Sequence, residues 1–371
     1  QINDFMRFFD TSTSCDSSDN NNNYNNANGS GGGVTKAINI RSCAPDTSKY
    51  FLHVKKNIGT VNFDAISALP TSVGSKTKET WERVRRWLDQ ESAYARVPVL
   101  PASECPRARM SEQDIDLLID AGVLCPIAAC DVRGPTHLFT VPEHHKGRRR
   151  AIKWTEVINT VEGRDTLEPS TLPTKTDVCQ LSLYGNIAAQ FDMQSWFDQF
   201  VLAPEVSSRM CTRRADDPVT GEPRYVRLNH LAMGQRQAVD VAQAALAVIT
   251  DFPGRRSLTA TYVDNLGVFA KTQEELDHDL PILFERIRLV GATTNEDLSA
   301  TPRSFHQTEF DFLGVHINLS DHTTCLTKKT IDKVVQAYAL RDSWTHRGFA
   351  SFIGACWFSL GLLAVDIPSM F

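Results

Sequence analysis

The chain has 371 residues, of which 42% are hydrophobic and 22% charged, so it is long enough to bury one large core or two smaller ones. Its formal net charge of −5 excludes a uniformly basic nucleic-acid-binding protein, and any basic surface must therefore be local. The nine cysteines form neither a CxxC pair nor a zinc-ligand spacing, which indicates unpaired thiols in a reducing compartment.

The first segment in chain order is polar and rich in Asn, Ser and Gly. It includes DSSDNNNNYNNANGSGGG at residues 16–33, which has too little apolar surface to order itself. We therefore expect residues 1–49 to form a disordered leader and residues 50–110 a helical lead-in. The lead-in contains one amphipathic helix, whose apolar stripe is Trp81, Val84 and Leu88.

A short helix and a basic hairpin follow. Ser111 is a typical N-cap, Asp114 occupies the third helical position, and Gly122 ends the helix. The next stretch, HLFTVPEHHKGRRRAIKWTEVIN, has two strand-like runs around a glycine, which predicts a hairpin with a basic tip. Such a cluster is usually a solvated charge run, and the alternative is a site for nucleotide phosphates. The basic residues are Lys146, Arg148, Arg149, Arg150 and Lys153.

Two further strands end in acidic residues. NIAAQFDMQSWFDQFVL predicts a strand that ends at Asp192 and is followed by a helix-like stretch. TATYVDNLGVFA predicts a hairpin bent at Asp264 and Asn265, although most Asp-Asn pairs in such places are only turn residues. If the two strands are neighbours, their carboxylates meet at one edge of a sheet. They would repel each other unless divalent cations lay between them, which predicts a site for two Mg²⁺ ions, with Mn²⁺ as a possible substitute.

Helices dominate the rest of the sequence. LNHLAMGQRQAVDVAQAALAVITDF predicts a turn at Gly234 and then a buried helix, and another helix with a kink at Pro281 begins after Thr272. FDFLGVHINL predicts a strand pair, and two helices end the chain. Residues 348–365 carry no charge and just reach the length of a membrane span. Glycines and serines dilute this segment, so we expect a buried helix and no membrane partner.

The order of these segments resembles that of the reverse transcriptases of retroelements. VPEHHKGRRRAIKWTEVIN, with Asn159 at its end, resembles the fingers segment, and AAQFDMQSWFDQF resembles the first palm motif. LAMGQRQAVDVAQ is similar to the Leu-Pro-x-Gly motif, TYVDN takes the place of the Tyr-x-Asp-Asp box, and FLGVHI that of the primer grip. The five motifs span roughly residues 122–318. The Asp-Asn pair resembles VIPER/DIRS-like tyrosine-recombinase retrotransposons most closely.

The resemblance implies a role for each site residue. Asp192 and Asp264 would be the catalytic metal ligands, and Asn265 would occupy the adjacent catalytic position, where an amide adds no negative charge. Phe197 would be the steric gate that excludes a ribose 2′-hydroxyl, although its residue type alone favours a plain core aromatic. The remaining substrate-binding residues would be Lys146, Arg150, Met233, Gly234 and Tyr262.

The resemblance also implies a fold and a reaction. The fold would be α+β, a right-hand polymerase with fingers and an antiparallel-sheet palm in residues 111–318 and a partial helical thumb or connection in residues 319–371. The enzyme would be an RNA-directed DNA polymerase that extends a primer on an RNA or DNA template with dNTPs. No ribonuclease H, integrase or recombinase segment is evident, so the chain would be one section of a retroelement polyprotein.

Two departures from the family pattern leave other interpretations open. Ala232 replaces the usual proline, and Asn265 replaces the second aspartate of the box. One alternative is therefore a catalytically inactive, reverse-transcriptase-like nucleic-acid-binding remnant. The other is a truncated polyprotein fragment that does not fold alone.

Overall fold

A computed structural model of the chain describes residues 50–55, 58–89, 97–161, 170–339, 343 and 345–362. The predicted leader, residues 1–49, lies outside these ranges. The chain divides into two compact units, one formed by residues 48–327 with 357–371 and one formed by residues 1–47 with 328–356. Every candidate site residue belongs to the first of these, which we call the larger unit.

Helices and strands alternate irregularly along the larger unit, as in a mixed α/β fold. Its helices are α1 (Phe63–Ala68), α2 (Thr77–Asp89), α3 (Glu112–Asp120), α4 (Glu156–Val161), α5 (Lys175–Tyr184), α6 (Pro204–Ser207), α7 (Ala238–Thr250) and α8 (Gln273–Leu289). Its strands are β1 (Phe51–Leu52), β2 (Leu124–Ile127), β3 (His137–Glu143), β4 (Arg148–Trp154), β5 (Ile187–Asp192), β6 (Cys211–Arg213), β7 (Tyr225–Leu228), β8 (Leu258–Tyr262), β9 (Asn265–Ala270), β10 (Glu309–Phe312), β11 (Val315–Asn318) and β12 (Thr323–Leu326).

The strands form small, mainly antiparallel sheets. Their orders are β1-β4-β3, β2-β7-β6, β5-β9-β8 and β10-β11-β12, and the described strand pairs are antiparallel except for β1 with β4. The sheet β5-β9-β8 carries both candidate aspartates. The predicted basic hairpin is β3 and β4, with Gly147 at φ 58° in the turn between them.

The core of the larger unit lies around α7. The predicted burial of this helix on nearly all faces is confirmed, since most of its side chains are buried. Its small Ala side chains let neighbouring elements approach it closely. The predicted apolar row of α2, Trp81, Val84 and Leu88, is also confirmed as buried. Helix α8 likewise buries one row, which consists of Leu276, Leu280, Leu283 and Ile287. Helix α8 runs continuously past Pro281.

Two local predictions were wrong by a few residues. The stretch after Asp192 forms only a four-residue 3₁₀ helix, Trp196–Gln199, because Ser195 before it is left-handed at φ 45° and Phe200 after it is extended. The hairpin bends at Val263 and Asp264 rather than at Asp264 and Asn265, because Tyr262 pairs directly with Asn265 in the β8–β9 ladder. The bend is therefore one residue earlier than the sequence pattern suggests.

The described part of the smaller unit consists of two helices, α9 (Lys328–Ala339) and the first residues of α10 (His346–Leu362). Phe352 is buried, and its ring centroid lies 6.0 Å from that of Tyr338, whereas Phe349 is exposed. Among the α10 side chains that the structure describes, burial is therefore partial, whereas the sequence predicts a buried helix. Within the described ranges, no helix combines the length and the hydropathy needed to cross a membrane.

Candidate catalytic site

The strand register brings the two predicted aspartates to one end of the β5-β9-β8 sheet. Asp192, the last residue of β5, lies directly opposite Asn265, the first residue of β9. The ladder continues one step further, since the Met193 N–H donates to the carbonyl of Asp264 at 2.8 Å. The loop that carries Asp264 is thus fixed beside the end of the strand that carries Asp192.

A buried glutamine holds the turn at Asp264 in place. Val263 has φ 59°, a left-handed conformation that is strained for a β-branched side chain. Gln243 of α7 accepts the Val263 N–H at 2.8 Å, and its amide donates to the carbonyl and the hydroxyl of Thr261, each at 2.9 Å. These bonds secure both arms of the turn, so Gln243 is a positioning residue that the sequence pattern did not single out.

Each carboxylate is also held by an amide. Asn295 donates to Asp192 Oδ2 at 2.6 Å, and Asn265 donates to Asp264 Oδ1 at 2.9 Å. Glu296 accepts the backbone N–H of Asp192 at 3.1 Å. Sequence reasoning missed the role of Asn295 and Glu296, although both lie in the polar GATTNED segment directly after α8.

The electrostatics of this sheet end favour a bound cation. Burial raises the pKa of Asp264, and the nearby negative charge of Asp192 raises it further. Burial likewise raises the pKa of Asp192, against the opposing effects of Asn295, Lys55 and Lys146. Two half-buried carboxylates that repel each other are hard oxygen donors of the type that Mg²⁺ prefers, so these side chains fit the predicted ion.

The protein supplies only part of a coordination sphere here. Within the described residues, no group of three His, Cys, Asp or Glu side chains is arranged to hold a metal ion. Mg²⁺ commonly binds through one or two carboxylates and completes its coordination with water and substrate phosphate oxygens. An aspartate pair without a third protein ligand is therefore compatible with a site that assembles around a nucleotide.

Two of the predicted basic residues face this acidic pair. The positive charge of Lys146 lowers the pKa of Asp192, and that of Arg150 lowers the pKa of Asp264, against the larger effect of burial on each. Arg150 is half-exposed and pairs with Glu143 at 3.0 Å. Lys146 is exposed and makes no ion pair with any residue that the structure describes. These two cations are placed to receive an anionic group beside the carboxylates.

The other two arginines of the hairpin have structural partners, so the suggestion that all three bind phosphate needs correction. Arg149 forms two bonds to the buried carboxylate of Asp114, at 2.7 and 3.0 Å, and also donates to the carbonyl of Tyr50 at 2.7 Å. Arg148 pairs with Glu143. Arg149 therefore holds β4 in the fold and is not available to a ligand. Arg148 and Arg150 share Glu143, and they differ in exposure, since the side chain of Arg148 is 17% exposed and that of Arg150 is 44% exposed.

Gly234 lies where only a glycine fits. A Cβ atom at this position would lie 2.6 Å from the carbonyl oxygen of Lys153 in β4. Asn159 fixes the same turn, since its amide donates to the Gly234 carbonyl at 2.8 Å and accepts the Arg236 N–H at 2.9 Å. The neighbouring Met233 is 55% exposed. The LAMG segment thus forms a tight turn that presents one apolar side chain to solvent.

The two predicted aromatic contacts differ in exposure. Phe197 is 8% exposed and belongs to the main core cluster, five residues beyond Asp192. Tyr262 is exposed and lies opposite Asn265 in the β8–β9 ladder. A role for either ring in nucleotide binding stays a prediction.

No protein family and no curated protein matches this sequence. Among solved structures, the chain is similar to the foamy viral protease-reverse transcriptase in complex with dsDNA, with a TM-score of 0.53 and 13% identity. The match covers 84% of this chain and 56% of that one. The dRH form of the same viral protein, also with dsDNA, gives a TM-score of 0.52 and 14% identity over 82% and 53% of the two chains.

The chain has a reverse-transcriptase-like fold. It spans about half the length of the viral chains that it matches. At such low identity the likeness concerns the fold alone, so the VIPER/DIRS-like subgroup stays a prediction. Within the reverse-transcriptase-like fold, the aspartate pair, the basic hairpin and the Gly234 turn all belong to the larger unit.

The amide at position 265 provides a test of metal binding that does not depend on catalysis. Asn265→Asp removes the hydrogen bond to Asp264 and adds a third carboxylate, so we expect the metal-free protein to lose about 1–2 kcal/mol of stability at neutral pH. We expect Mg²⁺ to raise the melting temperature of this variant more than that of the parent. Thermal unfolding with and without Mg²⁺ measures the difference.

Asn265→Ala is the matched control, because it removes the same hydrogen bond without adding a charge. Its response to Mg²⁺ should equal that of the parent. An equal rise in all three proteins would show that a carboxylate at position 265 does not reach the ion, and no rise in any of them would contradict Mg²⁺ binding beside Asp264.

Proposed function

We propose that this protein is an RNA-directed DNA polymerase that extends a primer with dNTPs by phosphoryl transfer. The observation that carries the proposal is the β5–β9 register, which places Asp192 opposite Asn265 and beside Asp264. Asp192 ends β5 and Asp264 lies in the turn directly before β9, and the charge of Asp192 acts on Asp264. Two neighbouring aspartates of this kind are suited to hold two divalent ions jointly. The reverse-transcriptase-like fold supports the same reaction class.

Each part of the site would have a separate task. Asp192 and Asp264 would hold two Mg²⁺ ions, which when bound stabilise the charge that develops on the phosphoryl group. Lys146 and Arg150 would bind the triphosphate, for which Arg offers a bidentate fork. The supports, chiefly the buried Gln243 and the exposed Asn295, would keep the carboxylates in place before substrate arrives.

The proposed architecture is a right-hand polymerase. The β3–β4 hairpin would belong to the fingers, the β5-β9-β8 sheet to the palm, and α9 and α10 to a partial thumb or connection. A primer on an RNA or DNA template would bind through its sugar-phosphate backbone and its shape. The two similar viral structures are complexes with dsDNA, which supports a nucleic-acid partner. Other sections of a retroelement polyprotein would complete the machinery.

Primer extension tests the proposal directly. The full chain is incubated with a labelled DNA primer on an RNA template, the four dNTPs and Mg²⁺ or Mn²⁺. We expect template-dependent extension that EDTA abolishes. Binding of primer–template without extension in either metal would support an inactive nucleic-acid-binding remnant instead.

The amide at position 265 is the observation that favours this second function. It supplies no negative charge, and its N–H₂ group is already donated to Asp264. A truncated fragment that does not fold alone is a separate alternative. The larger unit has a continuous buried core, so we expect cooperative thermal unfolding, and its absence would favour the fragment.

Phe197→Ala tests the steric gate. If the ring closes the sugar side of the pocket, its removal should raise the efficiency of ribonucleotide incorporation roughly 10- to 100-fold relative to dNTP incorporation. Phe200→Ala is the control, because Phe200 is fully buried against Trp196 in the same short segment. Phe200→Ala should lower stability and leave sugar selectivity unchanged. Unchanged sugar selectivity in Phe197→Ala would show that another residue forms the gate.

A further inference from the structure

Lys153 contacts the two segments that would face a bound nucleotide. Its ammonium group pairs with Asp198, the residue directly after Phe197, and the two side chains are only 10% and 25% exposed. Its carbonyl oxygen packs directly on the backbone of Gly234. One residue of β4 therefore ties the Phe197 segment to the Gly234 turn.

The Phe197 segment is held by contacts with other elements, since Trp196 donates to the Ala242 carbonyl at 3.1 Å and both Trp196 and Phe197 lie in the main core cluster. The 3₁₀ helix Trp196–Gln199 has no side-chain N-cap, and Ser195 before it is in the left-handed region. Gln199 fixes its far end through bonds to Thr293 and to the carbonyl of Gln194. The Asp198 side chain, which follows the candidate gate residue Phe197, forms its ion pair with Lys153.

The titratable residue beside the pair, His230, would not replace Lys153 as a cation. His230 lies in the field of both charges, and burial lowers the pKa of its imidazole to about 4, so it is neutral near pH 7. Its Nδ1 atom is buried without a hydrogen-bond partner among the described residues. Removal of the lysine would leave the Asp198 carboxylate beside a neutral ring, and a buried charge without its partner moves or draws in water.

We propose that Lys153 is a positioning residue for sugar selection: its ion pair with Asp198 sets the position of the Phe197 ring relative to Gly234. This inference rests on the proposed function, since it names a determinant of substrate choice for that polymerase site. Lys153 itself does not contact the nucleotide. Its effect passes through Phe197 and should therefore appear as altered selectivity between dNTPs and ribonucleotides.

The kinetic test compares two variants that each break a buried ion pair. Lys153→Met removes the ammonium group and keeps the length of the side chain. Arg214→Met is the control, because the Arg214 side chain is likewise only 11% exposed. Its partners are Glu112 and Asp116 of α3, which are not part of the Phe197 segment. We expect Lys153→Met to lower the ratio of kcat/KM for a dNTP to that for its ribonucleotide about tenfold.

Arg214→Met should keep the parental ratio of kcat/KM values, even if its loss of thermal stability is comparable. Lys153→Arg should also keep this ratio, because the positive charge remains. A purely structural role of the pair predicts that both methionine variants lose stability with an unchanged ratio. Such a result for Lys153→Met would overturn the inference.

A second measurement decides the positioning role without catalysis. The full chain carries 4-fluorophenylalanine at position 197, and its ¹⁹F resonance is recorded in the parent and in both methionine variants. We expect a shifted or broadened signal in Lys153→Met and a parental signal in Arg214→Met. A parental signal in Lys153→Met overturns the inference, whereas absence of primer extension by the parent overturns only the proposed function.

Discussion

Asp192→Asn and Asp264→Asn should each lower primer extension by at least about 10³-fold, because each removes one of the two negative charges that would hold Mg²⁺ at the end of the β5-β9-β8 sheet. The amide has nearly the same size as the carboxylate, so the fold should persist. In the absence of metal the variants should be as stable as the parent or more stable, since burial and mutual repulsion raise the pKa of Asp264.

The measurement is single-nucleotide extension at saturating primer–template, with template binding followed separately by fluorescence anisotropy. Binding should change less than about threefold, because backbone contacts dominate nucleic-acid affinity. Asp297→Asn is the control, since Asp297 is exposed and, among the described residues, its carboxylate accepts hydrogen bonds from Ser299. Parental rates in either aspartate variant would remove that residue from the metal site.

Gly291→Ala should have the largest effect on stability, a loss of about 3 kcal/mol or more. Gly291 is left-handed at φ 72°, and a Cβ atom there would overlap the carbonyl oxygen of Thr60. The crossing backbones cannot move apart freely, because Gly59 donates to the Thr293 hydroxyl at 3.1 Å and Asn62 donates to the Val290 carbonyl at 2.8 Å. Chemical denaturation measures the loss.

Gly122→Ala separates strain from overlap. Gly122 has nearly the same conformation, φ 73°, with no atom within 4 Å of an added Cβ, so its replacement should cost about 1 kcal/mol. Because residues 291–296 carry the contacts to Asp192, Gly291→Ala should also reduce extension, while Gly122→Ala should not. Equal destabilisation by the two variants would contradict the close crossing at Gly291.

The sequence was sufficient for the elements on which the site is built. The strand that ends at Asp192, the hairpin that carries Asp264 and the buried helix α7 all follow from local alternation and composition. The supports of the carboxylates do not. Asn295 is 103 positions from Asp192, and the hydrogen bond between them depends on tertiary packing that no local pattern encodes.

The same limit explains the arginines of the hairpin. Consecutive residues of a strand point to opposite faces, so Arg149 and Arg150 meet different surroundings. Arg149 reaches Asp114, 35 positions earlier, whereas Arg150 lies in the field of Asp264. The sequence shows a run of identical charges, and only the fold separates the structural arginine from the candidate ligand.

The backbone departures at Ser195 and Val263 were also beyond the sequence. Neither residue type favours a positive φ, yet each lies next to a candidate site segment. At Val263, Gln243 stabilises the strained turn, and at Ser195 the left-handed residue directly precedes the 3₁₀ helix Trp196–Gln199. Both departures bring functional side chains to positions that regular hairpins and helices would not reach.

Electron paramagnetic resonance of bound Mn²⁺ tests the joint metal site most directly. The complex contains the full chain, a chain-terminated primer–template and the matching dNTP. The site described here predicts two Mn²⁺ ions, coupled at a separation of about 4 Å, with the coupling lost in both Asp192→Asn and Asp264→Asn. Unaltered Mn²⁺ binding in both variants, or no bound ion in the parent complex, would contradict it.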